Sequence, residues 1–305
     1  MNFEFVRLGN FLAPGISKEL PTSITYVANP VVVLMDQNVC RLFFNSRDRY
    51  NRSEVYSVDF DIRNFDLVKG SFKIQLNISD STPSYCRDGI SLGAHFELGS
   101  KSFIGFMGWK VPKGMHWVGE VGLLELDDGW NISGISNSPW IPISENDPIS
   151  LSYPAVSQVM GESYIWYGTT KSWDYGNGEM LHVIEKSKIH RDGTVSKTGE
   201  LIEYQIGSAQ AFSRPTYINF KGRSFMGYSV RGNKDKYRIG ICEVFETQYS
   251  SRMGSVEYFT SGYEVWENQM VEYPYFLEHE DTLYMFYNGN SFGKSGVGAC
   301  KVLIK

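Results

Sequence analysis

The chain has 305 residues, of which 42% are hydrophobic and 15% aromatic, with a formal net charge of −5 at pH 7. That is enough length to bury a large core. The acidic balance, without a Lys/Arg run, gives no footing for nucleic acid as a partner, and no stretch approaches the ~20 apolar residues of a membrane span.

In chain order, Phe3–Leu8 reads as a strand with no partner nearby in sequence. From Asn29-Pro30 onward a pattern recurs about every 60 residues, the length of one radial four-stranded repeat. Each repeat has an anchor, an apolar run, a polar turn, an aromatic run and a third strand. The anchors are Pro30, Leu92 after Ser91, Pro154, Pro215 and Pro274. The aromatic runs begin at Arg41, Ser102, Ser163, Ser224 and Leu283, and the third strands at Glu54, Val118, Met180, Arg238 and Val297. Outer strands are expected at Phe72–Ile78, Trp140–Ile143, Leu201–Ile206 and roughly Tyr258–Trp266, with Asn131–Ser138 as a loop and a turn within Lys186–Thr198. In the last repeat Glu280-Asp281 reads as a tight turn between strands 275–278 and 283–287. The pattern predicts an all-β, five-bladed β-propeller, a single domain over residues 1–305. Its last blade lacks an outer strand, so Phe3–Leu8 is expected to complete it rather than leave two open sheet edges.

In such a ring the first strand of each blade lines the axis, and residues at the strand starts meet at one mouth. This gathers Asp88, Glu272, Arg214, Asn29, Tyr153 and Tyr273. Two carboxyls facing a shared cavity suit sugar chemistry: one protonates a leaving oxygen while the other activates water or stabilises positive charge. Glu272 and Asp88 are the expected catalytic pair. The other reading of a strand-start Glu is a solvated or turn-satisfied residue.

Loops after the second strands bring Arg47, Asp48, Trp109, Trp173, Arg231, Asn288 and Lys294 toward the same mouth. Arg47, Arg231 and Lys294 can hold a carboxylate or phosphate, or pair with Asp48, Glu272 or another acid. Trp109 and Trp173 can stack on sugar faces or pack at the rim. The four cysteines, Cys40, Cys86, Cys242 and Cys300, have no metal-type spacing, and no His/carboxylate set has ligand spacing, so neither metal nor cofactor is expected. Reduced, buried thiols and an N-terminus without a basic-then-apolar leader imply a cytoplasmic protein.

At these residues the chain resembles the bacterial five-bladed propellers related to glycoside hydrolase families 43 and 130. It is most similar to a predicted-glycosidase branch found near surface-polysaccharide genes. The resemblance runs nearly full length. It rests on Phe44-Asn-Ser-Arg-Asp, Asp88-Gly-Ile-Ser, Arg214-Pro, Tyr228-Ser-Val-Arg-Gly with Tyr237-Arg-Ile-Gly, and above all Glu272-Tyr-Pro-Tyr with Tyr287-Asn-Gly-Asn and Gly293-Lys-Ser-Gly. One departure stands out: family 43 enzymes carry their general-base Asp directly before the first anchor, where this chain has Asn29. The resemblance implies a glycosidase-like enzyme acting on a small glycoside or activated sugar in cell-surface glycan metabolism. Arg214, Arg47 and Arg231 would hold a negative group, and Asn29 and Tyr273 would orient hydroxyls. The alternatives are a glycoside phosphorylase and a non-catalytic propeller that binds a carbohydrate, nucleotide sugar or sugar phosphate.

Overall fold

The computed structural model describes residues 2–174, 176, 178–202, 210–232, 234–247 and 250–305. These residues form antiparallel meanders built from strands that run out from a common axis. The first holds β2 (Ala28–Leu34), β3 (Val39–Arg47), β4 (Ser53–Asp61) and β5 (Lys73–Leu76). The second holds β6 (Gly89–Leu98), β7 (Lys101–Lys110), β8 (Val118–Leu126) and β9 (Ile132–Ile135). Next come β10 (Leu151–Val159), β11 (Glu162–Asp174), β12 (Glu179–Ile189) and β13 (Val195–Ile202). After them lie β14 (Ala211–Phe220), β15 (Arg223–Arg231) and β16 (Arg238–Glu246), flanked by β17 (Ser251–Met253) and β18 (Glu257–Phe259). The last meander is β19 (Glu272–His279), β20 (Thr282–Asn288) and β21 (Val297–Ile304), with β1 (Phe3–Leu12) paired antiparallel outside β21. The first strands touch in cyclic order: β2 with β6, β6 with β10, β10 with β14, β14 with β19, and β19 with β2.

Local chemistry explains the hairpins. Met160-Gly161, Lys221-Gly222 and Glu280-Asp281 all have positive φ at both positions, between paired residues three apart. That is the type I′ geometry, whose twist matches the flanking strands. Between the meanders, aromatic and β-branched side chains form the core. Phe3 meets Phe225 edge-on at 5.9 Å, and Phe286 meets Phe60 at 5.8 Å. All four cysteines are buried and unpaired.

The strands nearest the axis share one irregularity. Each pairing skips two residues: Asn29-Pro30, Gly93-Ala94, Tyr153-Pro154, Arg214-Pro215 and Tyr273-Pro274. Asn29, Tyr153, Arg214 and Tyr273 all have left-handed backbone, with φ of 53°, 38°, 48° and 57°. Such strain costs about 1–3 kcal/mol per residue, so the surroundings must compensate. They do so through Arg214. Its guanidinium is fully buried and donates to carbonyls of other meanders: Nη1 to Pro274 at 2.7 Å, Nη2 to Pro30 at 2.8 Å and Gly93 at 3.3 Å, and Nε to Leu92 at 3.4 Å. Polar side chains at the ends of second strands add ties between neighbours. Asn288 Oδ1 accepts the Asn29 N–H, Asn45 Oδ1 the Leu92 N–H, and Ser229 Oγ the Tyr273 N–H, each at 2.9 Å.

Three expectations need correcting. The irregular pair of the second repeat is Gly93-Ala94, not Ser91-Leu92, because glycine there takes the place of a proline-anchored residue. The outer strand of that repeat is β9, inside the stretch read as a loop; Ile132 and Ile135 pack on the core. Within Trp140–Ile143 only Ile141 pairs, as an isolated bridge to Val121. The strand expected at Tyr258–Trp266 ends at Phe259. Residues 203–206 of the expected 201–206 strand lie outside the described residues, and β13 pairs with β12 just before them.

Two outcomes are expected. Removing residues 1–9 strips most of β1 and exposes the core that Phe3 covers. Thermal unfolding should show a loss of at least about 3 kcal/mol, the scale of deleting one buried Phe; an unchanged melting temperature would contradict the role of β1. Arg214→Met leaves its carbonyls unpaired and should cost about 3–5 kcal/mol. Arg214→Lys should also destabilise, since a single ammonium cannot span carbonyls of three neighbours. An Arg214→Lys protein that melts like wild type would remove this structural role.

Candidate functional site

Above the Arg214 guanidinium, at the end of the axis where first strands begin, lies a cavity of about 390 Å³. Its wall includes the bulge residues Asn29, Tyr153 and Tyr273, with Ser91 of β6. The second strand of the first meander adds Asn45, Ser46 and Arg47, and the loop between β20 and β21 adds Ser291, Phe292 and Lys294. Lys236, Gln269 and Met270 complete one side. The left-handed bulge thus serves both sides of the floor: carbonyls turn down onto Arg214, and the side chains of Asn29, Tyr153 and Tyr273 reach the cavity.

The β20–β21 loop is fixed by close contacts. A Cβ on Gly293 would lie 2.7 Å from Val27 O and from Ala28 Cα, and one on Gly289 would collide with Trp266 O. Asn290 then clamps the neighbouring segment. Its Oδ1 accepts the N–H groups of Gln269 and Met270 at 2.9 and 3.1 Å, and its Nδ2 donates to Val265 O at 2.8 Å.

Glu272 sits beside the floor with no exposed surface. Neither carboxyl oxygen makes a hydrogen bond of standard geometry among the described residues; the Phe292 N–H is the one nearby donor that bears on it. Burial drives its pKa well above the ordinary carboxyl range; the Phe292 N–H and the charges of Arg214 and Arg231 oppose the shift only in part. The carboxyl is therefore held toward its neutral, proton-carrying form. Burial also raises the Tyr153 phenol above its usual range, and the Tyr153 and Tyr273 rings lie 5.6 Å apart. Asn29 Nδ2 donates to Asn45 Oδ1 at 3.1 Å, while its buried Oδ1 has no partner among the described residues.

Of the residues expected to meet, the wall takes in Asn29, Arg47, Tyr153, Tyr273 and Lys294, with Glu272 behind it. Asp88 is not brought to Glu272. It precedes β6, its Oδ2 accepts the Val111 N–H at 2.6 Å, and Arg87 lies 3.6 Å away. The shift of the anchor from Leu92 to Ala94 explains this: Asp88 stands further from the bulge than the sequence spacing implied. Asp48 is spent within its own turn, on Arg52 and the N–H groups of Tyr50 and Arg52. Arg231 pairs with Glu179 at 3.0 Å. Arg214 and Asn288 face the interior; Asn288 Nδ2 donates to Val27 and Gly296 carbonyls. Trp109 lies under the Arg47 guanidinium, 4.8 Å from ring centre to Cζ, and Trp173 packs edge-on against His116. Sequence reading missed Lys236, Gln269 and Ser291. The signal for Lys236 was its place in the loop after a second strand, the position that also supplies Arg47 and Lys294.

Among the described residues no group of His, Cys, Asp and Glu side chains could hold a metal ion, and no helix is long and apolar enough to cross a membrane.

No protein-family model matches the chain. It is 29% identical over 300 residues to "Uncharacterized protein Rv1502" of Mycobacterium tuberculosis (strain ATCC 25618 / H37Rv), covering 96% of this chain and 97% of that one. Among solved structures it is similar to a thermostable family-43 glycoside hydrolase, with a TM-score of 0.64, 14% identity, and 96% and 90% of the two chains covered. An α-L-arabinofuranosidase from Podospora anserina in complex with cellotriose matches with a TM-score of 0.67, 7% identity, and 99% and 97% coverage. The chain thus has the β-propeller fold of glycoside hydrolases and is glycosidase-like in architecture.

Proposed function

We propose that the meanders are the five blades of one propeller domain over residues 1–305, with β1 completing the last blade, and that the cavity over Glu272 is its working site. The protein acts as a glycosidase-like enzyme on a small glycoside or activated sugar, such as a nucleotide sugar. The observation that carries this reading is the Glu272 carboxyl, fully buried, without a hydrogen bond of standard geometry among the described residues and biased toward its protonated form beside a sugar-sized cavity. In the reaction the Glu272 proton reaches the glycosidic oxygen by way of the intervening phenols, each giving up one proton as it takes the next, as the anomeric C–O bond breaks, so that the leaving group departs as a neutral alcohol. Tyr153 and Tyr273 stand between the acid and the cavity and orient hydroxyls. Asn29, with a free amide oxygen, accepts from a sugar hydroxyl.

A second observation bears on the other half of the reaction. Among the described residues no carboxylate lines the cavity, and Asn29 cannot take a proton from water. This favours either a ready-made nucleophile such as phosphate, and hence phosphorolysis, or binding without turnover. We place the protein in the cytoplasm, in cell-surface glycan metabolism, with a small carbohydrate or nucleotide sugar as partner and no nucleic acid; the motifs around Glu272 and Asn288 support that setting.

The test is turnover of aryl glycosides and nucleotide sugars, with and without phosphate, by wild type and Glu272→Gln. The variant should lose at least about a hundredfold in kcat, the scale of general acid assistance, with little change in ligand affinity. Full turnover by Glu272→Gln would overturn the acid assignment. A pH experiment checks the environment of the same group. A carboxyl whose pKa is raised on folding contributes stability below its unfolded pKa and loses that contribution as pH rises toward its folded value. Between about pH 4.5 and neutrality, where the unfolded carboxyl is ionised, wild type should therefore lose stability relative to Glu272→Gln in denaturant melts. Parallel curves for the two proteins would show that Glu272 is not held neutral.

A further inference from the structure

We propose that the cavity recognises an anion, a phosphate group carried on the sugar, through Arg47, Lys236 and Lys294. This names the substrate class for the sugar site proposed above and rests on that reading.

The three cations come from separate segments: the end of β3, the connection between β15 and β16, and the β20–β21 loop. They share one wall. No Asp or Glu lines that wall, and none of the three forms an ion pair among the described residues. The contacts they make are with neutral groups. Arg47 Nη1 donates to Asn51 O at 3.0 Å, Lys236 Nζ to Gln269 Oε1 at 2.6 Å, and Lys294 Nζ lies 5.4 Å from the Tyr26 ring centre. Other clustered cations in this chain behave differently. Lys171 and Lys197 both meet Asp147 and Glu185, and Arg41 meets Asp59. In a chain of net charge −5, three unopposed cations around one concave space make a local positive field that an anion relieves.

The cavity also offers groups for the rest of a sugar phosphate. Arg47 presents a planar fork suited to two phosphate oxygens, and the lysines add point charges. Ser291, held at φ 62°, has an N–H with no partner among the described residues and can donate as well. Asn29, 5% exposed, leaves its Oδ1 unpartnered at the floor. An acceptor there suits a hydroxyl rather than a phosphate. The cavity therefore has a cationic rim and a hydroxyl-reading floor, the polarity of a phosphorylated sugar.

Isothermal titration calorimetry tests this, with hexose 1-phosphates, hexose 6-phosphates, the matching neutral hexoses and inorganic phosphate as probes. Each is titrated into wild type and into Glu272→Gln, so that binding is read without turnover. At least one hexose phosphate should bind, with its neutral counterpart weaker by tenfold or more. Arg47→Met and Lys294→Met should each lower affinity by about tenfold or more, the range of a lost charge-assisted contact. Lys294 is exposed, so its variant should melt like wild type and separate binding from folding. A wild type that binds no hexose phosphate overturns the proposal. So do variants that bind it as tightly as wild type. Neutral hexoses bound equally by wild type and variants overturn the anion site and leave the sugar site standing. Inorganic phosphate bound as tightly as any hexose phosphate, and lost in the same variants, overturns the sugar-borne source and assigns the cations to free phosphate. A Glu272→Gln protein that binds hexose phosphate but keeps full turnover sinks the acid role alone.

Discussion

Everything near the axis depends on a single cation satisfying backbone carbonyls. Strands that converge on an axis cannot pair with one another there, and their carbonyls face a space too narrow for bulk water. Left-handed residues before proline turn those carbonyls inward, and the Arg214 guanidinium meets them. Each partner would be costly alone: a strained bulge, an unpaired carbonyl, a buried charge. Together they are mutually compensating. Burial pulls the Arg214 pKa down to about 10, still far above neutrality, so the plug stays charged. Because Glu272 directly precedes one of these bulges, the feature that seals the axis also sets the acid beside the cavity.

The electrostatics of the site follow from this arrangement in layers. The buried charge of Arg214 lies deepest, the neutral-leaning carboxyl of Glu272 next, then the phenols of Tyr153 and Tyr273, and outermost the cations of the rim. Positive charge on both sides of Glu272 does not outweigh its loss of water, because a fully buried carboxylate is penalised by desolvation more than by any contact it lacks. This differs from a surface acid such as Asp48, which is already satisfied by its own turn.

Much of this was legible in the sequence. The Pro30, Pro154, Pro215 and Pro274 anchors mark the bulges directly, because a proline after an αL residue leaves a trace in the chain. The second repeat was misread because its bulge is Gly93-Ala94, which carries no such mark. That error carried Asp88 into the site with it. The β9 strand was hidden by its short Ile-Ser-Gly-Ile run among turn residues. Arg214 was seen but given the wrong neighbours: sequence shows that an arginine stands at a strand start, but not that its guanidinium points along the axis at carbonyls of other repeats. The cationic rim was half seen: Arg47 ends its strand and Lys294 stands in the Gly-Lys-Ser-Gly block, while Lys236 stands among polar loop residues without such a mark.

The pairing of β1 with β21 has a consequence for how the molecule comes to exist. β1 is made before the other strands described and finds its partner only once β21 has emerged. The register Phe3 to Ile304 is among the longest sequence separations the chain could bridge, and such contacts are slow to form. Until then β1 is an aromatic-bearing strand without a partner, and β2 lacks the neighbour β19. Strands joined by one late pairing stay incomplete until β21 is made and then close together, so exposure to aggregation should concentrate in the newly made chain rather than in the folded one.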